Sequence, residues 1–253
     1  MESSLHRTLK LRACDGEVER TEITVEGFRI DAVDRGGRLI EVQSAALSAL
    51  RGKLERLLPN HRIRVVKPIC FNRRLIRRAQ LDSPDVSSRW SPKRGDWLDV
   101  FEEWTGLARI FPHPHLEIEL VGLDLQEIRA LTKRRTRKRT HEHILDRDIL
   151  EIHRSVLIRR SADLWTLFSD PPTAGEIFTT RELAERIRRP LSFAQRVAYC
   201  LRHAGAVDDL GRSARFRLYA RLPDTAPFED CEGPHADLGE VPSRRKNGLR
   251  HRG

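Results

Sequence analysis

The chain has 253 residues, a formal net charge of +10, 39% hydrophobic and 33% charged residues. That length suits one large domain or two modest ones, with enough chain for a real core. No run approaches the ~20 apolar residues of a spanning helix. The N-terminus, MESSLHRTLKLRACDGE, has no apolar signal core, and Cys14, Cys70, Cys200 and Cys231 show no CxxC spacing. A membrane protein, a secreted disulfide scaffold and a zinc ribbon are therefore set aside, and a soluble cytoplasmic protein is expected.

Ser3–Leu11 reads as a short helix with Leu5 and Leu9 on one face. Glu22–Glu26 alternates as a half-buried strand, and Gly27 breaks it. Phe28–Val33 is a second strand, DRGG a glycine-rich hairpin turn, and Arg38–Gln43 a third strand. Ser44 is placed to cap a helix over Ala45–Leu58, with Leu47, Leu50, Leu54 and Leu58 at helical spacing. Pro59-Asn60 stops it, and Ile63–Ile69 is a fourth strand. The order is α-β-β-β-α-β.

Nine residues separate Asp31 from Glu41, and Gln43 follows on the same face of its strand, while Ile40 and Val42 point to the core. If the second and third strands pair around DRGG, Asp31 and Glu41 reach one edge. Two convergent carboxylates make a hard oxygen site for Mg²⁺. A solvated hairpin carrying two acids for solubility is the plain alternative. The order, with RID and IEVQ on paired strands, resembles the PD-(D/E)XK, or restriction-endonuclease-like, nuclease superfamily over the first 70 residues or so. The resemblance implies an α/β fold, Asp31 and Glu41 as ligands of Mg²⁺ or Mn²⁺, and hydrolysis of a DNA phosphodiester. Gln43 stands where the superfamily's lysine would, so it can hydrogen-bond water or phosphate but brings no charge. Lys67, on the next strand, is the nearest lysine that could serve, and Glu2 the nearest acid on the first helix. GFRIDAV, RLIEVQ, SPKRG and DVFEEW together also resemble a bacterial family of unassigned activity that joins such a core to a helical DNA-binding-like module.

In Ser91-Pro92-Lys93-Arg94-Gly95, Lys93 and Arg94 could hold a phosphate, or the turn could be a charged surface loop capped by Asp96. Trp97, Phe101 and Trp104 recur at helical spacing over 97–104 and read as core. His113-Pro-His115 precedes a strand over Leu116–Leu120. Residues 129–160 hold 11 basic and four acidic residues, so much of the charge surplus sits there. Lys133, Arg134, Arg135, Arg137, Lys138 and Arg139 could neutralise phosphates or form a solvated helix face. A site of His141, Glu142, His143 and His153 fits zinc spacing poorly.

A helix over Ala162–Phe168, a second over Arg181–Ile187 capped by Thr179 or Thr180, a third over Phe193–Ala204 closed by Gly205, and a hairpin with DDLGRS as its turn resemble a winged helix. That resemblance implies a third helix in the major groove, presenting Gln195, Arg196 and Arg202, with a wing presenting Arg212, Arg215 and Arg217. The expected fold is α/β: a restriction-endonuclease-like α-β-β-β-α-β core with a C-terminal winged-helix domain. The divisions are a nuclease-like domain at 1–128, a basic helical connector at 129–160, a winged-helix-like domain at 161–222 and a disordered tail at 223–253. The expected activity is a Mg²⁺-dependent DNA endonuclease, with Asp31, Glu41, Gln43 and Lys67 in the site. A catalytically inactive, nuclease-like DNA-binding or regulatory protein is the alternative, and a protein-interaction adaptor the third reading. DNA is the expected partner, a homodimer is left open, and neither GxxxxGK[ST] nor GxGxxG is present for a nucleotide cofactor.

Overall fold

The computed structural model describes residues 2–79, 83–131, 142–213 and 215–223. Helix α1 (Ser4–Ala13) is capped by Ser3, whose hydroxyl accepts the His6 N–H. Strands β1 (Thr21–Val25), β2 (Phe28–Val33) and β3 (Leu39–Val42) form an antiparallel meander. Glu26 and Gly27 both have positive φ, as a two-residue hairpin turn between right-twisted strands requires. The expected helix over 45–58 is shorter. A 3₁₀ turn at Leu47–Leu50 leads into α2 (Arg51–Leu57), and Ser44 caps neither. Gln43 donates its side-chain amide to the Ala46 carbonyl at 2.7 Å, so this stretch is a crossing turn before the leucine face begins. Leu47, Leu50, Leu54, Leu57 and Leu58 are buried.

Strand β4 (Ile63–Arg77) lies parallel to β3, and β5 (Ser87–Trp90) pairs with its far end. A 3₁₀ turn at Trp97–Val100 continues into α3 (Phe101–Trp104), capped by Asp96 with Asp99 returning the bond. Trp97, Phe101 and Trp104 are core, as their spacing indicated. Strand β6 (Leu116–Leu131) runs parallel to β4, and β7 (Glu142–Ile158) returns antiparallel to it. The sheet order is β1-β2-β3-β4-β6-β7, with β5 beside β4.

The helical connector expected at 129–160 is corrected here: 142–158 is a strand, and β6 continues to Leu131. Ile144, Ile149, Ile152, Val156 and Ile158 bring β-branched shape, and a long partner strand satisfies the backbone. Charge density masked that pattern. The basic run from Lys133 to Arg139 and the tail from residue 224 lie outside the described residues.

The C-terminal part holds a 3₁₀ segment at Ser161–Leu167 in place of the first expected helix, then β8 (Ile177–Thr179), α4 (Thr180–Arg186), α5 (Leu191–His203), β9 (Val207–Ser213) and β10 (Phe216–Arg221). Its sheet runs β8-β10-β9. DDLGRS is strand β9 and not the turn. Thr179 caps α4 in a capping box with Glu182. Gly205, at positive φ, closes α5, with Ala206 and Gly205 N–H groups bonded to the Leu201 and Arg202 carbonyls.

Two apolar layers sandwich the large sheet. Leu5, Leu9 and Cys14 pack on Ala32, Ile40, Val42, Val66 and Val121. The alternate residues Leu39, Ile63, Val65 and Ile118 face α2, α3 and the C-terminal part. This second core is shared: Phe101 meets Phe168 at 6.1 Å between ring centroids, and Trp165, Val197 and Leu201 belong to the same cluster. Among the described residues no helix is long and apolar enough to cross a membrane.

Gly106 is where close approach forbids a side chain, because a Cβ there would lie 2.6 Å from the Ser48 backbone. Gly106→Ala is expected to cost about 1–3 kcal/mol in urea unfolding. Gly52, exposed on α2 with open space around it, is the control: Gly52→Ala is expected to stabilise by about 0.5–1 kcal/mol.

Candidate nucleic-acid interface

Asp31 and Glu41 sit on neighbouring strands beyond the last β2–β3 pair, Ala32↔Ile40. There the Asp31 Oδ2 accepts the Val42 N–H at 2.8 Å, and Oδ1 lies 3.1 Å from His6 Nε2 of α1. Glu41 is 5% exposed and bonds Lys53 of α2 at 2.5 Å. Burial pushes the Asp31 carboxyl up, but the His6 and Val42 hydrogen bonds outweigh it and hold it below its ordinary value. Burial wins at Glu41, whose carboxyl is pushed up although Lys53 opposes this. His6 is raised, first by its hydrogen bond to Asp31.

The two helices lie in opposite layers of the sheet. Asp31 is engaged by His6 from one layer, Glu41 by Lys53 from the other, and Gln43 by the Ala46 carbonyl, while the Asp31 charge still reaches Glu41. A shared divalent cation needs both carboxylates directed at one point. Here each carboxylate is already engaged by a basic side chain, which would have to give way before a cation could be held. The expected neighbour Glu2 pairs with Lys10 at 2.8 Å and with His6 at 3.6 Å.

Lys67 stands apart from that pair. It is 3% exposed, and its ammonium bonds Glu103 at 2.5 Å and the Ala45 carbonyl at 2.8 Å. It lines a groove of about 260 Å³ with Arg73, Lys93, Arg147, Glu102 and Glu103, which neither Asp31, Glu41 nor Gln43 enters. The groove opens where β3 has left the edge of β4 and β5 has not yet joined it. Gly95 fits there because a Cβ would collide with the Cys70 carbonyl. Lys93 faces the groove, while Arg94 folds back on the Ser91 carbonyl. Behind it, fully buried Glu127 holds Arg129 at 2.5 Å, Arg147 at 2.9 Å and Arg73 at 3.6 Å. Burial raises the Glu127 carboxyl, and these guanidiniums, Arg147 first, bring it below its ordinary value.

His141 lies outside the described residues, and among the described residues His153 is paired with acids and not with His143. It pairs with Asp124 at 3.0 Å and Glu151 at 3.6 Å, and Asn72 also bonds Asp124. Among the described residues Asp124, Glu151 and His153 are the group whose ligand atoms cluster. Sequence spacing could not pair His153 with Asp124, 29 positions away.

The clearest convergence is in the C-terminal part. A cleft of about 310 Å³ between α5 and the β9–β10 hairpin is lined by Gln195, Tyr199, Arg202, Arg212, Arg215 and Arg217, with Thr180 and Tyr219. Gln195, Arg202, Arg212, Arg215 and Arg217 were expected on a nucleic-acid face, and the fold brings all five together. Arg196 is not in the cleft lining. Asp209 bonds Arg202 at 3.1 Å and also Arg217. Arg212 and Arg215 make no ion pair among the described residues; Arg215 lies over the Phe216 ring at 5.4 Å. Several close guanidiniums in a concave, water-facing cleft attract phosphate. Tyr199 and Tyr219, which complete the cleft, were not singled out from the sequence, where lone tyrosines carry no signal.

A family profile described as a domain of unknown function (DUF8091) matches residues 3–159, from α1 to the end of β7. Over 245 residues the chain is 30% identical to a Treponema pallidum (strain Nichols) protein described as an uncharacterized protein, covering 93% of this chain and 92% of that one. No solved structure matches it.

The Glu41–Lys53 pair gives a pH-dependent expectation. Lys53→Met leaves a buried carboxylate without its cation and is expected to cost about 3–5 kcal/mol near neutral pH. A carboxyl raised in the folded state costs stability above its folded pKa. The penalty should therefore shrink as pH falls and Glu41 takes up a proton. Urea unfolding near pH 7 and near pH 5 measures both.

Proposed function

The chain belongs to the DUF8091 family, and we propose that it is a DNA-binding protein that holds the phosphate backbone through its C-terminal part, built on a nuclease-like core that does not itself cut. The observation that carries this reading is the cleft in which Arg202, Arg212, Arg215 and Arg217 meet beside Gln195 and Tyr199. The order β8-α4-α5-β9-β10, with β8 completing the sheet, supports a winged helix: α5 would enter the major groove and the β9–β10 hairpin would contact the backbone. The order α1-β1-β2-β3-α2-β4 supports a restriction-endonuclease-like core. Lys93 lines the groove, and the sequence adds the basic run from Lys133 to Arg139 to the same chain's positive charge.

Asp31, Glu41, Gln43 and Lys67 support the inactive alternative better than the nuclease. The two carboxylates are spent on His6 and Lys53, Gln43 closes a turn, and Lys67 serves Glu103 in a separate groove. What favours the nuclease is that Asp31 lies close enough to Glu41 for its charge to oppose that of the Glu41 carboxylate.

Two measurements test the reading. In fluorescence anisotropy with a labelled duplex, affinity should fall steeply between about 50 and 200 mM salt. Arg212→Ala with Arg215→Ala should weaken binding and flatten the salt slope by about 2. Supercoiled plasmid with Mg²⁺ or Mn²⁺ should stay uncut. Nicking that vanishes in Asp31→Ala and Glu41→Ala would replace this reading with the endonuclease. Neither cutting nor binding would leave an interaction adaptor.

A further inference from the structure

Gln195, Tyr199 and Arg202 recur four and three positions apart on α5, so they form one stripe along a single helix face. Facing them across the cleft are Arg212, Arg215 and Arg217 of the hairpin, with Tyr219 and Thr180 also in the lining. The cleft therefore combines three kinds of group in about 310 Å³. Guanidinium forks match phosphate oxygens in pairs. An exposed phenol ring offers a stacking face, and Tyr199 is 36% exposed. An amide carries one acceptor and two donors, which can read the edge of a base.

A duplex can use the first through its phosphates and the third through its major groove, but a face of Tyr199 can stack only on a base that has left the helix. A stacked base pair cannot enter a cleft of this size, whereas one nucleotide with its base free of the stack can. We propose that the cleft between α5 and the β9–β10 hairpin seats a single unpaired nucleotide of a DNA strand, its phosphate on Arg212 and Arg215, its base against Tyr199 and its base edge at Gln195. The ligand class is DNA with an exposed single-stranded end or unpaired position. This rests on the DNA-binding reading above and narrows it.

The charges around the cleft favour this division of labour. Asp209 takes the Gly211 N–H at 3.1 Å and holds Arg202 and Arg217 in place. Arg212 and Arg215 have no carboxylate partner among the described residues and are the pair left for an incoming anion. Tyr199 also packs against His203, with ring centroids 4.3 Å apart and the rings tilted, which limits its movement before any base arrives.

The test uses the full chain and three probes: a blunt duplex, the same duplex with a single-stranded overhang, and free deoxyadenosine monophosphate as competitor. The overhang duplex should bind about fivefold or more tighter than the blunt one. The nucleotide should compete away that advantage. Tyr199→Ala should equalise the two duplexes, and Tyr199→Phe, which keeps the ring, should retain the preference. Equal binding of both duplexes by the wild type, with no competition by the nucleotide, overturns the seat and leaves DNA binding standing. Failure of both duplexes to bind overturns DNA binding and the seat with it. A preference that survives Tyr199→Ala overturns the stacking assignment.

Discussion

The parallel pairing of β4 with β6 is the constraint on which the rest of the molecule hangs. It runs from Ile63↔Leu116 to Arg77↔Arg129, with one irregularity near Cys70. Both strands are longer than the layers that cover them. Their first halves carry most of the two hydrophobic cores, while their second halves pair with β5 and β7 and bury Ile76, Leu125 and Ile128 among arginines. Because a parallel pair must be joined by a crossover, the stretch between them carries β5, the SPKRG turn and α3. That stretch returns along the open edge of β4, where the Gly95 N–H bonds the Phe71 carbonyl and Ser91 bonds Arg73. The groove beside Lys67 is the space it leaves.

The same crossover ties the C-terminal part to the sheet. Phe101 and Trp104 of α3 join Trp165, Phe168 and Leu201 in one cluster. At its rim Arg189 bonds Asp96 at 2.7 Å and Asp99 at 3.0 Å, the residues that cap the 3₁₀ turn before α3. The apolar contact supplies affinity between the halves without direction, and the Arg189 guanidinium, shared between two carboxylates, supplies direction. The arginine cleft is therefore held at a defined place on the sheet's flank.

Electrostatics sort the arginines in a way their number does not. Many are already partnered: Glu127 gathers three, and Glu117 takes Arg38, Arg64 and Arg159 at 2.9–3.2 Å. These are structural charges, mostly spent on pinning neighbouring strands across the sheet. Arg212 and Arg215 differ, since the hairpin carries them past the reach of Asp209. A net charge of +10 thus overstates how much cation is available and conceals where it is concentrated.

The sequence by itself determined the short-range features. Alternation marked β1 to β3 and the start of β4, leucine spacing marked the buried face of α2, and the Thr179-Thr180 pair and Gly205 marked helix ends. Each is decided by neighbours within a few residues. The spacing of Trp97, Phe101 and Trp104 likewise identified core. Tertiary structure decided the rest. Strand β7 was hidden because its charges resemble a solvated helix, and only a long partner strand makes extension the better state. The partners of Asp31 and Glu41 were hidden because His6 and Lys53 come from helices in opposite layers. Gln195 and Arg202 declared themselves as outward residues, but that they share a cleft with the hairpin's arginines and with Tyr199 depends on how α5 packs against β9 and β10. Local patterning follows from backbone geometry and burial, which a segment carries with it. The convergence of charges follows from packing between distant segments, which no single segment contains.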